Sequence, residues 1–110
     1  REASPKKILI RGVGPGLTPF GVAGVLADPR LRVFRDSTLV AENDNWSAVA
    51  TEAAANTEAA GLTGAFALTS GSRDSVLLLT LAPGAYTAQV GAADNLGTGL
   101  ALVEIYEVPQ

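Results

Sequence analysis

Apolar and polar residues along most of the chain are arranged in short runs that favour β-strands. The clearest case is residues 74–108, where three β-favouring runs are separated by Ala82-Pro83-Gly84-Ala85 and by the glycine-bounded stretch 91–99. Proline presets φ for a turn, and glycine adopts positive φ without steric cost. The pattern predicts a three-stranded antiparallel meander. Residues 76–81 are apolar on both faces, which predicts that they form a central strand.

Four further short segments carry a strand signal, at residues 6–13, 31–35, 38–42 and 64–69. Side chains alternate between the two faces of a strand. In the first segment this alternation places Ile8 and Ile10 on one face. The last run of the predicted meander, residues 100–108, has one face made of Ala101, Val103 and Ile105 and another made of Leu100, Leu102, Glu104 and Tyr106.

One segment, residues 48–60, is predicted to be a helix because it is rich in alanine and contains no proline. Asn45 or Ser47 is placed to cap its start, and Gly61 stands where helices often end in the left-handed conformation. The apolar stripe is thin, so the helix is expected to lie on the surface. The predicted buried positions are Trp46, Val49, Ala53 and Ala60.

Six or seven short strands and one Ala-rich surface helix predict a mostly β fold, an antiparallel β-sandwich, as a single domain over residues 1–110. Composition agrees, since 47% of the residues are hydrophobic and 17% are charged, which excludes a disordered chain. The net charge of −3 argues against nucleic acid and anionic membranes as partners. Apolar runs reach only four residues, as at residues 76–79, which is too short for membrane insertion.

The chain contains no Cys, His or Met. It therefore has no disulfide, no thiolate nucleophile and no imidazole for general-base catalysis or metal binding. Asp74 lies near several serines, but neither a catalytic triad nor a carboxylate pair is recognisable. We therefore expect no enzymatic activity, and the oxidation-resistant composition favours an extracellular location.

Several strings together resemble a repeat-type β-sandwich domain of large secreted bacterial surface proteins. They cover nearly the whole chain in order: LIRGVGPGL (9–17), FGVAGVLADPRLRVF (20–34), ENDNW (42–46), GAFAL (64–68), DSVLLLTLAPGAYTAQV (74–90) and GTGLALVEIYEV (97–108). The final third is also distantly similar to bacterial pre-peptidase C-terminal domains, which are jelly-roll-like. The resemblance implies secretion and display at the cell surface rather than a reaction.

The chain departs from that family at its N-terminus. Family members carry strand-forming sequence before the LIRGVGPGL-like string, whereas only residues 1–7 precede Ile8 here. Either the domain is trimmed or the missing strand comes from elsewhere, and residues 1–7 are predicted to form an extended arm.

Two loops carry candidate calcium ligands, and a third segment suggests phosphate binding. Asn43, Asp44 and Asn45 supply clustered oxygens, as does Asp94, but calcium takes six to eight oxygen ligands, and Asx turns with a helix cap explain the same residues. The glycine-rich residues 12–16 lack the Lys-Ser/Thr of a phosphate loop, so a structural turn is favoured.

Trp46 is the only tryptophan. An exposed tryptophan stacks on sugar rings, whereas a buried one fills a core, and the buried reading is favoured here because large aromatic side chains dominate core burial.

The leading hypothesis is a secreted structural module that self-associates, or joins neighbouring domains, by strand addition at an exposed sheet edge. The alternative is a carbohydrate- or calcium-binding accessory module. The candidate interaction residues are Arg1, Lys6, Lys7, Trp46 and Tyr106.

Overall fold

The computed structural model describes residues 4–109, so Arg1 lies outside the described residues. Within this range the chain forms six strands, one α-helix and a short 3-10 helix at Pro15–Phe20. The strands are β1 (Lys6–Val13), β2 (Pro29–Arg35), β3 (Thr38–Asn43), β4 (Ser75–Leu81), β5 (Tyr86–Ala92) and β6 (Leu102–Glu107), and the helix α1 is Ala50–Thr63.

The six strands form two antiparallel three-stranded sheets. The first sheet has the order β4-β1-β6 and the second has the order β3-β2-β5. The expectation of a mostly β chain with one Ala-rich helix is therefore confirmed.

Alternation along β1 separates two apolar cores. Ile10 faces the second sheet and packs with Leu31 and Val33, all of them buried, in what we call the inter-sheet core. Leu9 faces the opposite way and packs with Trp46 and α1 in the helix-side core. The first sheet thus lies between the second sheet and the helix. Complete burial of such side chains contributes about 1.5–3 kcal/mol each, so both faces of β1 stabilise the fold.

The predicted meander is wrong, although its three strands exist. β4 and β6 each pair with β1, whereas β5 pairs with β2 in the other sheet. The turn at residues 82–85 carries the chain from one sheet to the other. Arg35 of the second sheet holds this turn, since its NH2 group donates to the carbonyl oxygen of Pro83 at 3.1 Å.

The predicted central position of residues 76–81 is also wrong. Within the described residues β4 pairs with β1 alone, so β4 is an edge strand and β1 is the central one. Both faces of β4 are apolar because different layers cover them. Val76 and Leu78 pack into the helix-side core, and Leu77 and Leu79 pack against the inter-sheet core.

The helix begins two residues later and ends three residues later than predicted. Val49 is the N-cap residue and makes no side-chain cap, so neither Asn45 nor Ser47 has that role. Gly64, rather than Gly61, adopts the left-handed conformation that ends the helix. The buried face also differs, since Val49 is 49% exposed while Ala59 is 2% exposed.

Two further expectations about local structure are corrected. Residues 64–69 form no strand, and two of their backbone carbonyl groups accept hydrogen bonds from side chains instead: Phe66 from Arg11 and Thr69 from Trp46. Lys6 and Lys7 do not belong to a free arm. They form the start of β1 and pair with the end of β4.

Candidate functional site

The glycine-rich loop at residues 12–16 binds a carboxylate of the protein itself. The backbone N–H groups of Gly14 and Gly16 donate to Oδ1 of Asp74 at 2.8 and 3.0 Å. Ser72 donates its hydroxyl to Oδ2 of the same side chain at 2.7 Å, and Asp74 is fully buried. Since the amides that would face a phosphate already hold Asp74, this segment is a structural turn, as predicted.

Trp46 fills the helix-side core and is 6% exposed. Its indole Nε1 donates to the carbonyl oxygen of Thr69 at 3.0 Å and to Oγ of Ser72 at 3.2 Å. Its backbone N–H donates to the carbonyl oxygen of Asp74 at 2.9 Å. The buried reading is confirmed, and the indole face is not a surface platform for a sugar ring.

The first loop with candidate calcium ligands is occupied by local hydrogen bonds. Oδ1 of Asn43 accepts from the backbone N–H of Val76 at 3.0 Å, and Nδ2 of Asn45 donates to Oδ1 of Asp44 at 3.1 Å. Asn43 and Asp44 line a shallow surface hollow together with Glu42, Arg30 and Arg32. The two guanidinium groups oppose a cation at this position.

The second loop closes on itself. Oδ1 of Asp94 accepts from the backbone N–H groups of Leu96 and Gly97, both at 2.9 Å. These two hydrogen bonds stabilise the charged carboxylate and lower the pKa of Asp94. Within residues 4–109 there is no group of three or more acidic side chains arranged to hold a metal ion.

The predicted interaction residues do not share one surface. Nζ of Lys6 lies 3.4 Å from Oε2 of Glu107, in an exposed ion pair on the surface. The backbone carbonyl of Lys7 accepts from the N–H of Val108 at 2.8 Å, which fastens the chain after β6 to β1. Trp46 and Tyr106 pack in or against the helix-side core.

A buried charged cluster lies on the helix side of the first sheet, and sequence reasoning did not find it. Arg11 is 2% exposed, and its NH1 group donates to the carbonyl oxygen of Phe66 at 2.7 Å. Nε of Arg11 lies 2.8 Å from Oε1 of Glu104, close enough for an ion pair but without the alignment of a hydrogen bond. The guanidinium carbon also lies 4.6 Å from the centre of the Phe66 ring.

Tyr106 completes this cluster by donating its hydroxyl to Oε2 of Glu104 at 2.9 Å. Burial and the bond to Glu104 raise the pKa of Tyr106, while the positive charge of Arg11 opposes the shift. The sequence features that indicate this buried cluster are one arginine in the apolar run ILIRGV and one glutamate in LVEIY. Their pairing depends on strand register, which the sequence does not state.

One side of the molecule leaves inward-facing apolar side chains uncovered. Ile105 lies opposite Ile10, and Val103 lies opposite Gly12, so both point toward the second sheet. The second sheet ends at β5, which lies over β1, since a Cβ at Gly12 would meet Val90. Ile105 is therefore 63% exposed and Val103 is 42% exposed.

We call the surface formed by β5, β6, Val103 and Ile105 the open side. β5 pairs with β2 alone and β6 with β1 alone among the described strands, so each strand has an unpaired edge here. An unpaired edge presents rows of backbone N–H and C=O groups that pair readily with another strand.

Comparison with protein-family models, with curated proteins and with solved structures gave no match for this chain. In residues 4–109, no helix has the length and apolar character needed to cross a membrane.

Proposed function

We propose that this chain is a non-enzymatic, secreted structural module that associates with copies of itself, or with neighbouring domains, by strand addition at the open side. The observation that carries the proposal is the exposure of Ile105 and Val103 on a face that is buried elsewhere in the same sheet. An added strand beside β5 would cover these side chains and extend the second sheet.

The magnitudes indicate what kind of association to expect. Covering two half-exposed aliphatic side chains contributes roughly 2–3 kcal/mol, given about 1.5–3 kcal/mol for complete burial of each. Association costs at least about 4 kcal/mol in lost translational and rotational freedom. Backbone hydrogen bonds between the paired strands must therefore supply the remaining free energy of association. Two copies joined in one polypeptide would pair more strongly, because the link raises the effective concentration of one copy near the other.

The remaining parts of the proposal rest on the sequence resemblance. They are a jelly-roll-like β-sandwich class, a bacterial source, display at the cell surface and assembly into a fibre or other extracellular structure. Two apolar sheet faces that pack together support the sandwich class. The absence of His and Cys from the chain supports a role without catalysis.

The test replaces both open-side residues with lysine, as Val103→Lys with Ile105→Lys, because lysine on an edge strand opposes strand addition. Leu62→Lys is the matched control, since Leu62 is 55% exposed on α1. Light scattering over a concentration series, and electron microscopy, are measured for a single copy and for two copies joined by a flexible linker.

We expect the wild-type chain to self-associate, more strongly as the linked pair, and the lysine variant to stay monomeric with an unchanged circular dichroism spectrum. Leu62→Lys is expected to behave as wild type. The proposal is refuted if the single-copy wild type stays monomeric and the linked pair neither associates nor has a smaller hydrodynamic radius than the linked lysine variant. Equal association of the lysine variant would also refute it. Removal of residues 1–5 tests the arm separately, because longer deletions would cut β1.

A further inference from the structure

The open side has the shape of a step. β5 lies over β1, because a Cβ added at Gly12 would lie 2.9 Å from the side chain of Val90. β6 therefore extends one strand beyond the edge of the second sheet, and its inward-facing Val103 and Ile105 are exposed. A strand that fills the step must lie beside β5 and over β6 at the same time.

The two strands that border the step, β5 and β6, run in opposite directions. Leu81 at the end of β4 lies opposite Lys6, and a short turn leads from there to Tyr86 at the start of β5. The start of β5 is therefore near the start of β1, while Val90 lies beside Gly12 near the end of β1. β5 thus runs in the direction of β1, whereas β6 is antiparallel to β1.

The free backbone groups of β5 belong to residues whose side chains face inward. In an antiparallel pair, residues alternately direct both backbone groups at the partner strand and both away from it. The N–H of Ala93 donates to the carbonyl oxygen of Asp28, which sets the alternation between β5 and β2. The residues with backbone groups directed away from β2 therefore include Tyr86, Ala88 and Val90, which all pack against the inter-sheet core.

β6 has the same arrangement at its own free edge. The N–H of Val108 donates to the carbonyl oxygen of Lys7, so by alternation Val103 and Ile105 direct their backbone groups away from β1. The side chains of these two residues face inward. Opposite residues of an antiparallel pair have side chains on the same face. The free edges of β5 and β6 can therefore pair with each other and keep the apolar side chains of both strands inside.

We propose that the partner at the open side is a second copy of this chain, related to the first by a two-fold axis that runs along the strands between the two layers. The inference rests on the proposed function, because it names the partner for strand addition. The rotation exchanges the layers, so that β6 of each copy lies beside β5 and over β6 of the other. It keeps strand direction, so both new pairs are antiparallel. Both open sides are used, and the dimer is closed.

The heights of the strands give the register of the new pairs. Val90 lies beside Gly12, which is opposite Val103, so the rotation brings Val103 of the second copy opposite Val90. The same register places Ile105 of the second copy opposite Ala88. These are residues whose backbone groups are free on both strands. Val103 and Ile105 of the two copies also face each other across the axis, which covers them.

The charges at the edge agree with this partner. The register places Glu107 of the second copy opposite Tyr86, and the guanidinium carbon of Arg35 lies 5.5 Å from the centre of the Tyr86 ring. Glu107 thus approaches a positive charge, and opposite charges on neighbouring strands are stabilising. β5 itself has no charged side chain between Tyr86 and Ala92 that would repel the second copy.

Two other arrangements of identical copies fit the step less well. Pairing β5 with β5 of a second copy in one layer would place β6 of each copy where β1 of the other lies. A head-to-tail repeat would place β3 of the next copy beside β5. Since β3 and β5 are both antiparallel to β2, that pair would be parallel and less stable per residue. A bulge at Val40 also interrupts β3.

Introduced cysteines test the dimer, because the chain has none of its own. The register places Gly91 opposite Leu102 of the second copy in a non-hydrogen-bonded pair. The Cα atoms of such a pair are about 4.5 Å apart, which is within the range of a disulfide. Gly91→Cys and Leu102→Cys are made as separate variants, since a Cβ at Gly91 meets nothing and Leu102 is exposed.

Each variant alone, and an equal mixture of the two, is oxidised and separated by non-reducing gel electrophoresis. The mixture should form a disulfide-linked dimer roughly tenfold faster than either variant alone, because only the mixture brings two thiols together in one dimer. A mixture of Thr87→Cys and Leu39→Cys is the matched control. Both residues lie opposite Phe34 and are exposed, and only a head-to-tail repeat would place them side by side. Light scattering of the wild type should reach the mass of two chains and stop.

The dimer is overturned if the mixture of Gly91→Cys and Leu102→Cys links no faster than the single variants. It is also overturned if the control mixture links faster, or if the wild type grows beyond two chains. These outcomes leave strand addition at the open side in place. Failure of the proposed function is recognised separately, because equal association of the variant with lysine at 103 and 105 refutes both proposals.

Discussion

Asp74 is expected to be among the most sensitive positions for stability, although it is an acidic residue. Asp74→Ala removes the acceptor for Gly14 and Gly16, at 2.8 and 3.0 Å, and for the hydroxyl of Ser72 at 2.7 Å. A hydrogen bond to a charged group contributes about 1.5–3 kcal/mol, and a buried donor left unpaired costs about 1–3 kcal/mol. Water can reach the partly buried Gly16 and Ser72 bonds, so the expected net loss is about 3–5 kcal/mol.

That loss is a large share of a total stability of about 5–15 kcal/mol. Urea unfolding followed by Trp46 fluorescence measures it directly, since the indole is bonded to Ser72 beside Asp74. Asp74→Asn keeps one acceptor oxygen and should lose less than Asp74→Ala. Asp44→Ala is the control, because the bond that Asp44 accepts from Asn45 is exposed. If Asp74→Ala and Asp44→Ala unfold at the same urea concentration, the reasoning about the loop is refuted.

Two further predictions concern glycine positions and a tyrosine. Gly14→Ala should cost several kcal/mol or prevent folding, because its Cβ would lie 2.1 Å from the carbonyl oxygen of Leu26. Gly61→Ala should instead stabilise α1 by about 0.5–1 kcal/mol, and similar melting temperatures for the two variants would contradict this. The fold raises the pKa of Tyr106. The contribution of the protonated tyrosine to the free energy of unfolding is therefore complete below the unfolded pKa of about 10, and it is lost as pH rises through the pKa of the folded state. Tyr106→Phe should therefore flatten the decline in stability above about pH 10 in urea titrations, and an unchanged slope would argue against it.

Local sequence patterns predicted the strands well, because alternation and turn residues act within a few positions. The strand at Lys6–Val13 has the predicted bounds, and the turn residues 82–85 do separate two strands. Pairing was predicted poorly, because partners far apart in sequence are selected by burial. Both β1 and β4 carry apolar side chains on two faces, but only β1 has an unbroken run of buried residues, from Leu9 to Val13.

The candidate sites also divide into those that local sequence predicts and those that depend on strand pairing. Burial of Trp46 and the structural role of the glycine-rich loop followed from residue types and motif requirements. The contact between Arg11 and Glu104 did not, because it needs the register that places these residues opposite each other. The open side also depends on register, since the exposure of Ile105 follows from where the second sheet ends and not from the residue itself.

The central place of β1 has a consequence for the time course of folding. Its partners come from the far end of the chain, so that Ile8 pairs with Glu107 and Lys6 with Leu81. Large loops must close, at a cost in entropy, before either strand pair can form. This places the chain among proteins of high contact order, which fold slowly, in milliseconds to seconds. During synthesis, the first sheet is completed only after β6 has emerged. The edge of β1 that pairs with β6 therefore stays unpaired while the other strand pairs of both sheets can already form.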